Sequence, residues 1–206
     1  GDPPAGYLKN KYVTKIAEVL FGKETQAALP ACAAALAAVH TGRPVKLRYD
    51  RDDDMLITGK RHDFLIEYDV GFDPFGQIQS LDVMLASRCG FSADLSGPVN
   101  DRAVCHVDNC YFLPALRIVS HRCKTHTQSN TAFRGFGGPQ GMMAIEMVID
   151  EIARHLEMDP LVVRRVNFYG PGRDQTPYGT QGDDFIADRL FDELVPSSDY
   201  EARRAA

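Results

Sequence analysis

The chain has 206 residues, 44% of them hydrophobic, and a formal charge of −5 with its lysines and arginines dispersed. That is room for one large domain, or for one domain and a piece of another, and no basic stripe marks a nucleic-acid surface. No apolar run reaches the length of a membrane span, and no signal-peptide core opens the chain. The five scattered cysteines, Cys32, Cys89, Cys105, Cys110 and Cys123, fit reduced thiols in a cytoplasmic setting better than a disulfide framework.

Lys23 to Thr41 reads as a helix because it is rich in alanine, the best helix former. Pro30 either kinks it or marks its true first turn, and Gly42 stops it. Pro44–Tyr49 alternates toward a strand. Asp50-Arg51-Asp52-Asp53-Asp54 lacks the glycine and the distal glutamate of a calcium loop and reads as a solvated turn with a local salt bridge. His62–Phe72 and Ile78–Ala86 are strand-like, with Asp73-Pro74-Phe75-Gly76 as the hairpin turn between them. Leu116–Ser120 suggests a further strand. Met143–Leu156 places apolar residues at 145, 148, 149, 152 and 156, one face of a helix. Asp159 reads as an N-cap with Pro160 in the first turn of the next helix. The tail beyond Asn167 passes through Gly170, Pro171, Gly172 and Pro177 to an amphipathic run, Phe185–Val195. The expected class is α+β, a mixed and mostly antiparallel sheet packed with helices.

The chemistry concentrates in Ser129–Gly141, which holds four glycines, Arg134, Phe133 and Phe136 directly before an apolar-periodic segment. Glycine lets bare backbone approach a ligand. Pro139 suits a helix start, and a helix N-terminus presents N–H groups and a partial positive charge. On form alone the stretch is either a chain-reversing turn or a ligand cradle. It fits neither the dinucleotide fingerprint nor the Walker loop. Cys105, His106, Cys110, His121, Cys123 and His126 lack metal-ligand spacing, and the cysteines read as small apolar residues. Glu24 at a helix start and Arg102 in a polar-to-apolar turn read, by themselves, as surface residues.

Taken in order, Lys23-Glu24-Thr25-Gln26, Thr41–Val45, Asp50–Met55, Gly59-Lys60-Arg61-His62, His106–Tyr111 and Ser129–Gly141 resemble the molybdenum-cofactor-binding subunit of the xanthine dehydrogenases, within the xanthine oxidase family of molybdenum hydroxylases. The resemblance runs over about residues 21 to 206. It implies hydroxylation of hypoxanthine and xanthine to urate with oxygen from water. The cofactor is molybdenum-molybdopterin, and electrons leave through 2Fe-2S clusters to FAD and NAD on other domains. Phe133, Arg134, Gly135 and Gly137 correspond to cofactor-binding positions, with the Arg134 backbone at the molybdenum. Phe136 corresponds to the aromatic that packs on the purine. Glu24 and Arg102 correspond to catalytic residues that also bind the substrate, one hydrogen-bonding the heterocycle and one facing its far side. Similar aldehyde oxidases tend to be apolar at both positions, so the charged pair favours a purine.

The family's glycine-rich run before Lys-Glu is here Glu18-Val19-Leu20-Phe21-Gly22, which puts Leu20 or Phe21 at the position beside the metal. On this resemblance residues 1–22 form a divergent N-terminal segment, 23–169 a portion of the molybdenum domain, and 170–206 a loop and short helices of a following region. The family's catalytic base lies downstream of this stretch, so the chain alone is expected to be inactive. Its expected partners are the purine, the rest of the molybdenum domain and the iron-sulfur/FAD subunit, with no nucleic acid or membrane; a homo-oligomer of the full enzyme is compatible. The competing readings are an aldehyde oxidase-like hydroxylase and a non-catalytic stand-alone domain without cofactor.

Overall fold

The computed structural model describes residues 28–205. The chain forms two compact units. The first is the described part of Gly1–Asp63 with Ser87–Val99 and Arg122–Phe136; the second is Phe64–Ala86, Asn100–His121 and the described part of Gly137–Ala206.

In the first unit α1, Ala28–Thr41, includes Pro30 as its third described residue. The Gly42 N–H bonds Ala38 O at 2.9 Å and Gly42 takes φ +65°, which ends the helix. The expected strand at Pro44–Tyr49 is not one. The segment is extended, and among the described residues no neighbour forms a ladder with it. The acidic run is not a turn either. Asp50 accepts from the Asp53 N–H at 2.8 Å and caps α2, Arg51–Ile57, whose first turn gathers Asp52, Asp53 and Asp54 at the positive end of the dipole. The local salt bridge is present, Arg51 to Asp54 at 3.1 Å.

His62 is 1% exposed, with Nε2 2.7 Å from Ser96 Oγ. Burial lowers its pKa from 6.5, and the opposing fields of Asp94 and Asp63 do not offset this. A depressed imidazole stabilises the fold above the unfolded value, and that contribution is lost as pH falls through the folded value. We expect the melting temperature to drop more between pH 7 and pH 5 in the wild type than in His62→Asn, and parallel pH profiles would contradict this origin.

The second unit holds the core. Strand β1, Phe64–Phe72, alternates half-buried and exposed residues, and β2, Ile78–Gly90, turns Leu81, Val83 and Leu85 inward. The hairpin turn is as expected. Asp73 Oδ1 accepts from the N–H groups of Phe75 and Gln77, both at 2.9 Å, and Gly76 takes φ +83°. Strand β3, Leu116–Lys124, lies beside β2 in the order β1-β2-β3. Leu81 N–H donates to Ala115 O at 2.8 Å and Thr125 N–H to Gly90 O at 3.0 Å, so β2 and β3 advance in the same direction. The sheet is thus mixed. Between them the chain forms α3, Ser96–Val104, which places Arg102 in a last helical turn rather than in the polar-to-apolar turn expected from sequence.

Helix α4, Gly138–His155, buries Gly141, Ala144, Ile145, Val148, Ile149, Ile152 and Ala153 along one stripe and packs on β1, with His155 edge-on to Phe72 at 5.6 Å. Asp159 caps α5, Pro160–Asn167, accepting from the Leu161 N–H at 2.7 Å. The buried Asn167 ties that helix to the hairpin: Nδ2 donates to Gly76 O and Val163 O, both at 2.8 Å, and Oδ1 accepts from the Ile78 N–H. Helices α6, Ala187–Ser197, and α7, Tyr200–Ala205, follow, and Phe191 of α6 meets Phe168 edge-on at 5.0 Å. No helix among the described residues is long and apolar enough to cross a membrane.

Candidate functional site

The Ser129–Thr131 stretch of the first unit is built against backbone on two sides. A Cβ on Gly90 would lie 2.2 Å from Gln128 O, and one on Gly59 would lie 2.3 Å from Ser129 O. Only glycine permits either approach. Asn130, buried, accepts from the Lys60 N–H at 3.3 Å and donates to Arg88 O at 2.8 Å, and the Thr131 N–H bonds Lys60 O at 3.0 Å.

From this anchored base the loop runs out into the open. Phe133 is 49% exposed, and Arg134 and Gly135 are exposed beside it. The Phe136 N–H closes a turn on Phe133 O at 2.7 Å. Gly135, Phe136 and Gly137 take φ of +92°, +52° and +98°. Three left-handed residues in succession are costly where one of them carries a side chain, so the conformation is one the surroundings must hold. Arg61 holds it in part. Its guanidinium lies 4.4 Å from the Phe133 ring centroid, and Nη2 donates to Arg134 O at 2.5 Å. Nη1 of Arg61 is buried without an acceptor among the described residues.

In the second unit α4 starts from Gly137 with no side-chain cap and with Pro139 in its first turn. The start of α4 touches α3 directly. A Cβ on Gly141 would lie 2.1 Å from Ala103 O, and one on Gly138 would meet the His106 ring at 3.2 Å. His106 Nδ1 is 2.9 Å from Arg102 O. The turn that carries Arg102 is therefore seated on the N-terminal turn of α4, and the Arg102 side chain is exposed.

Phe133, Arg134, Gly135 and Phe136 thus share one turn, and Arg102 is brought to the helix start that Gly137 opens. Glu24, Leu20 and Phe21 lie outside the described residues. The sequence reading gave Arg61 no role. Its clue was an arginine inside the Gly59–His62 run, one of the segments that carry the family likeness.

Around Glu146 of α4 lies a half-buried polar network that sequence reading also missed. Glu146 accepts from the Tyr111 hydroxyl at 2.7 Å, Asn109 Nδ2 at 3.0 Å and the Arg164 guanidinium at 2.8 Å, and Arg164 also reaches Asp150 at 2.9 Å. Asp108 accepts from Tyr169 at 2.7 Å and Tyr178 at 2.5 Å. Burial pushes the Cys110 thiol up to about 11, which keeps it protonated and inert. Only Cys89 is fully buried; Cys32, Cys105 and Cys123 are exposed, which corrects the reading of the latter two as packed apolar residues.

The chain belongs to the molybdopterin cofactor-binding domain family, whose model matches residues 21–168. It is 45% identical over 202 residues to xanthine dehydrogenase/oxidase of Gallus gallus, covering 97% of this chain and 15% of that protein. It is 48% identical over 183 residues to xanthine dehydrogenase/oxidase of Mus musculus, covering 89% of this chain and 14% of that protein. In fold it is similar to the aldehyde oxidoreductase of Desulfovibrio gigas, with a TM-score of 0.72 and 31% identity over 85% of this chain and 19% of that one. The chain spans about a seventh of the length of these curated relatives.

An exposed Gly135, backbone in the left-handed region and an arginine whose buried Nη1 is an unused donor together suit an anionic, oxygen-bearing group approached by main chain. The residues present fit.

Proposed function

We propose that this chain supplies one wall of the active site of a molybdenum hydroxylase that oxidises a purine, hypoxanthine or xanthine, toward urate. The observation that carries the reading is the seating of the Arg102 turn on the first turn of α4 through Ala103 and Gly141. The names of the curated relatives support the purine.

When bound, the molybdenum-pterin centre supplies the two-electron oxidation that places oxygen from water on an electron-poor carbon. Phe133, Arg134, Gly135 and Gly137 would hold it, with the Arg134 backbone nearest the metal and Leu20 or Phe21 beside it. Phe136 stacks on the flat heterocycle, which adds about 0.5–1.5 kcal/mol beyond area burial. Glu24 hydrogen-bonds the ring. Arg102 stabilises negative charge that develops on the ring during oxidation. Residues 23–169 form the cofactor-domain portion and 170–206 the following region. Partner domains would carry the 2Fe-2S clusters, FAD and NAD that take up the electrons, and the setting is cytoplasmic.

The test is metal and pterin analysis of the full protein together with turnover on xanthine and on an aromatic aldehyde. Stoichiometric molybdenum with preference for xanthine is expected. A metal-free folded protein would refute the cofactor reading, and preference for the aldehyde would favour an aldehyde oxidase-like enzyme.

A further inference from the structure

We propose that Arg61 is the positioning residue of the cofactor loop: it clamps the Arg134–Gly135 peptide by its carbonyl and so fixes which face of the loop the main chain presents. The proposal rests on the reading of residues 133–137 as the cofactor wall.

The Arg61 guanidinium makes two contacts with that loop at once. Its Cζ lies over the Phe133 ring, 4.4 Å from the centroid, and its Nη2 donates to Arg134 O at 2.5 Å. The peptide is trans, as are all those described, so the Gly135 N–H points opposite to the captured carbonyl. Capture of the oxygen on one side therefore aims a backbone donor to the other. The Phe136 N–H is already used by Phe133 O at 2.7 Å, which leaves the Gly135 N–H as the donor the clamp orients.

The base of the clamp is firm. Lys60, immediately before Arg61, is bonded through both its N–H and its C=O to the Asn130–Thr131 backbone and side chain. His62, immediately after, is buried against Ser96. A guanidinium on such a base can stack and donate together because its donors lie in the plane of its π-system. An ammonium offers a point charge and cannot cover the ring in the same way. A second donor group, Nη1, is buried and free of an acceptor among the described residues, so the clamp retains capacity for a further oxygen.

The experiment compares wild-type, Arg61→Met and Arg61→Lys forms of the full protein. Amide exchange of residues 131–137 is followed alongside turnover per bound molybdenum. In Arg61→Met the loop amides should exchange about tenfold faster while amides of Val148 to Ile152 keep their protection. kcat per molybdenum should fall about 100-fold, the scale of a misplaced reacting group, with KM changed less than about threefold. Arg61→Lys should recover part of both. Unchanged loop exchange in Arg61→Met overturns the proposal, as does a loss confined to KM or a loss of protection throughout the core. If the wild type itself carries no molybdenum, the cofactor reading of the loop fails, and the exchange measurement alone still decides the clamp.

Discussion

Arg102→Met is expected to lower xanthine turnover by about 10²–10³, the loss typical of removing one preorganised group that stabilises developing charge, while aldehyde turnover falls less than about tenfold. The arginine sits in the last turn of α3 with its side chain exposed. Its backbone contact, Arg102 O with His106 Nδ1 at 2.9 Å, survives the substitution. The fold should therefore change by no more than about 0.5 kcal/mol, the range of ordinary surface changes. Methionine keeps an unbranched apolar stem and removes the guanidinium, so the comparison probes the cation and its donors. Attack on an aldehyde develops charge on the carbonyl oxygen next to the reacting carbon, where no distant cation is needed, whereas a purine spreads it over the ring to a remote carbonyl. Steady-state kinetics on both substrates, normalised to molybdenum content, reads the difference. Equal losses on both would remove the argument for a purine.

What the sequence showed in advance follows the range of the interactions concerned. The stripe at 145, 148, 149 and 152 was legible because a helix repeats its buried face every three or four residues, and the structure buries those positions. Asp159-Pro160 and Asp73–Gly76 were legible because caps and tight turns are settled within four residues. Pro44–Tyr49 misled because alternation signals a strand only when another strand accepts it. Asp50–Asp54 misled in the other direction. Aspartates disfavour helix interiors, and the same side chains favour a helix start, so one composition serves a turn and an N-terminus alike. Helix α3 is short and polar, with Gly97 and Pro98 near its start, and it carries no periodic signal of its own.

The site divides in the same way. The glycine-rich stretch was visible as a loop because glycine and proline act locally. Its conformation is set by residues distant in sequence: Gly59, Lys60, Arg61 and Gly90. No local pattern announces that a strand-leading arginine will reach a carbonyl 73 positions away. The Glu146–Tyr111–Arg164 network is likewise a product of tertiary placement: Tyr111 belongs to a segment that carries the family likeness, but Glu146 and Arg164 stand in no recognisable motif. Family likeness supplied roles for Arg102, Phe136 and Arg134, whereas geometry supplied the reason that the Arg102 turn sits where it does.

That reason gives the second large effect. Gly141→Ala should destabilise the protein by about 3 kcal/mol, the upper range for overpacking a tight interface. The new Cβ would lie 2.1 Å from Ala103 O and 3.1 Å from two further backbone carbons, those of Ala103 and His106. Backbone cannot swing aside as a flexible side chain would, so α3 and α4 must part. Gly97→Ala is the contrast. It lies in α3 with nothing within 4 Å of the added carbon, and it should leave stability unchanged or raise it by about 0.5 kcal/mol through helix propensity. Thermal melts should show Gly141→Ala lower by about 6–12 °C for a chain of this size. The same displacement moves the residue that precedes Ala103, so the variant should lose xanthine turnover out of proportion to aldehyde turnover at a temperature where it remains folded. A variant that melts with the wild type would mean that the two helices separate without cost. The placement of Arg102 would then need another support than the glycine contact.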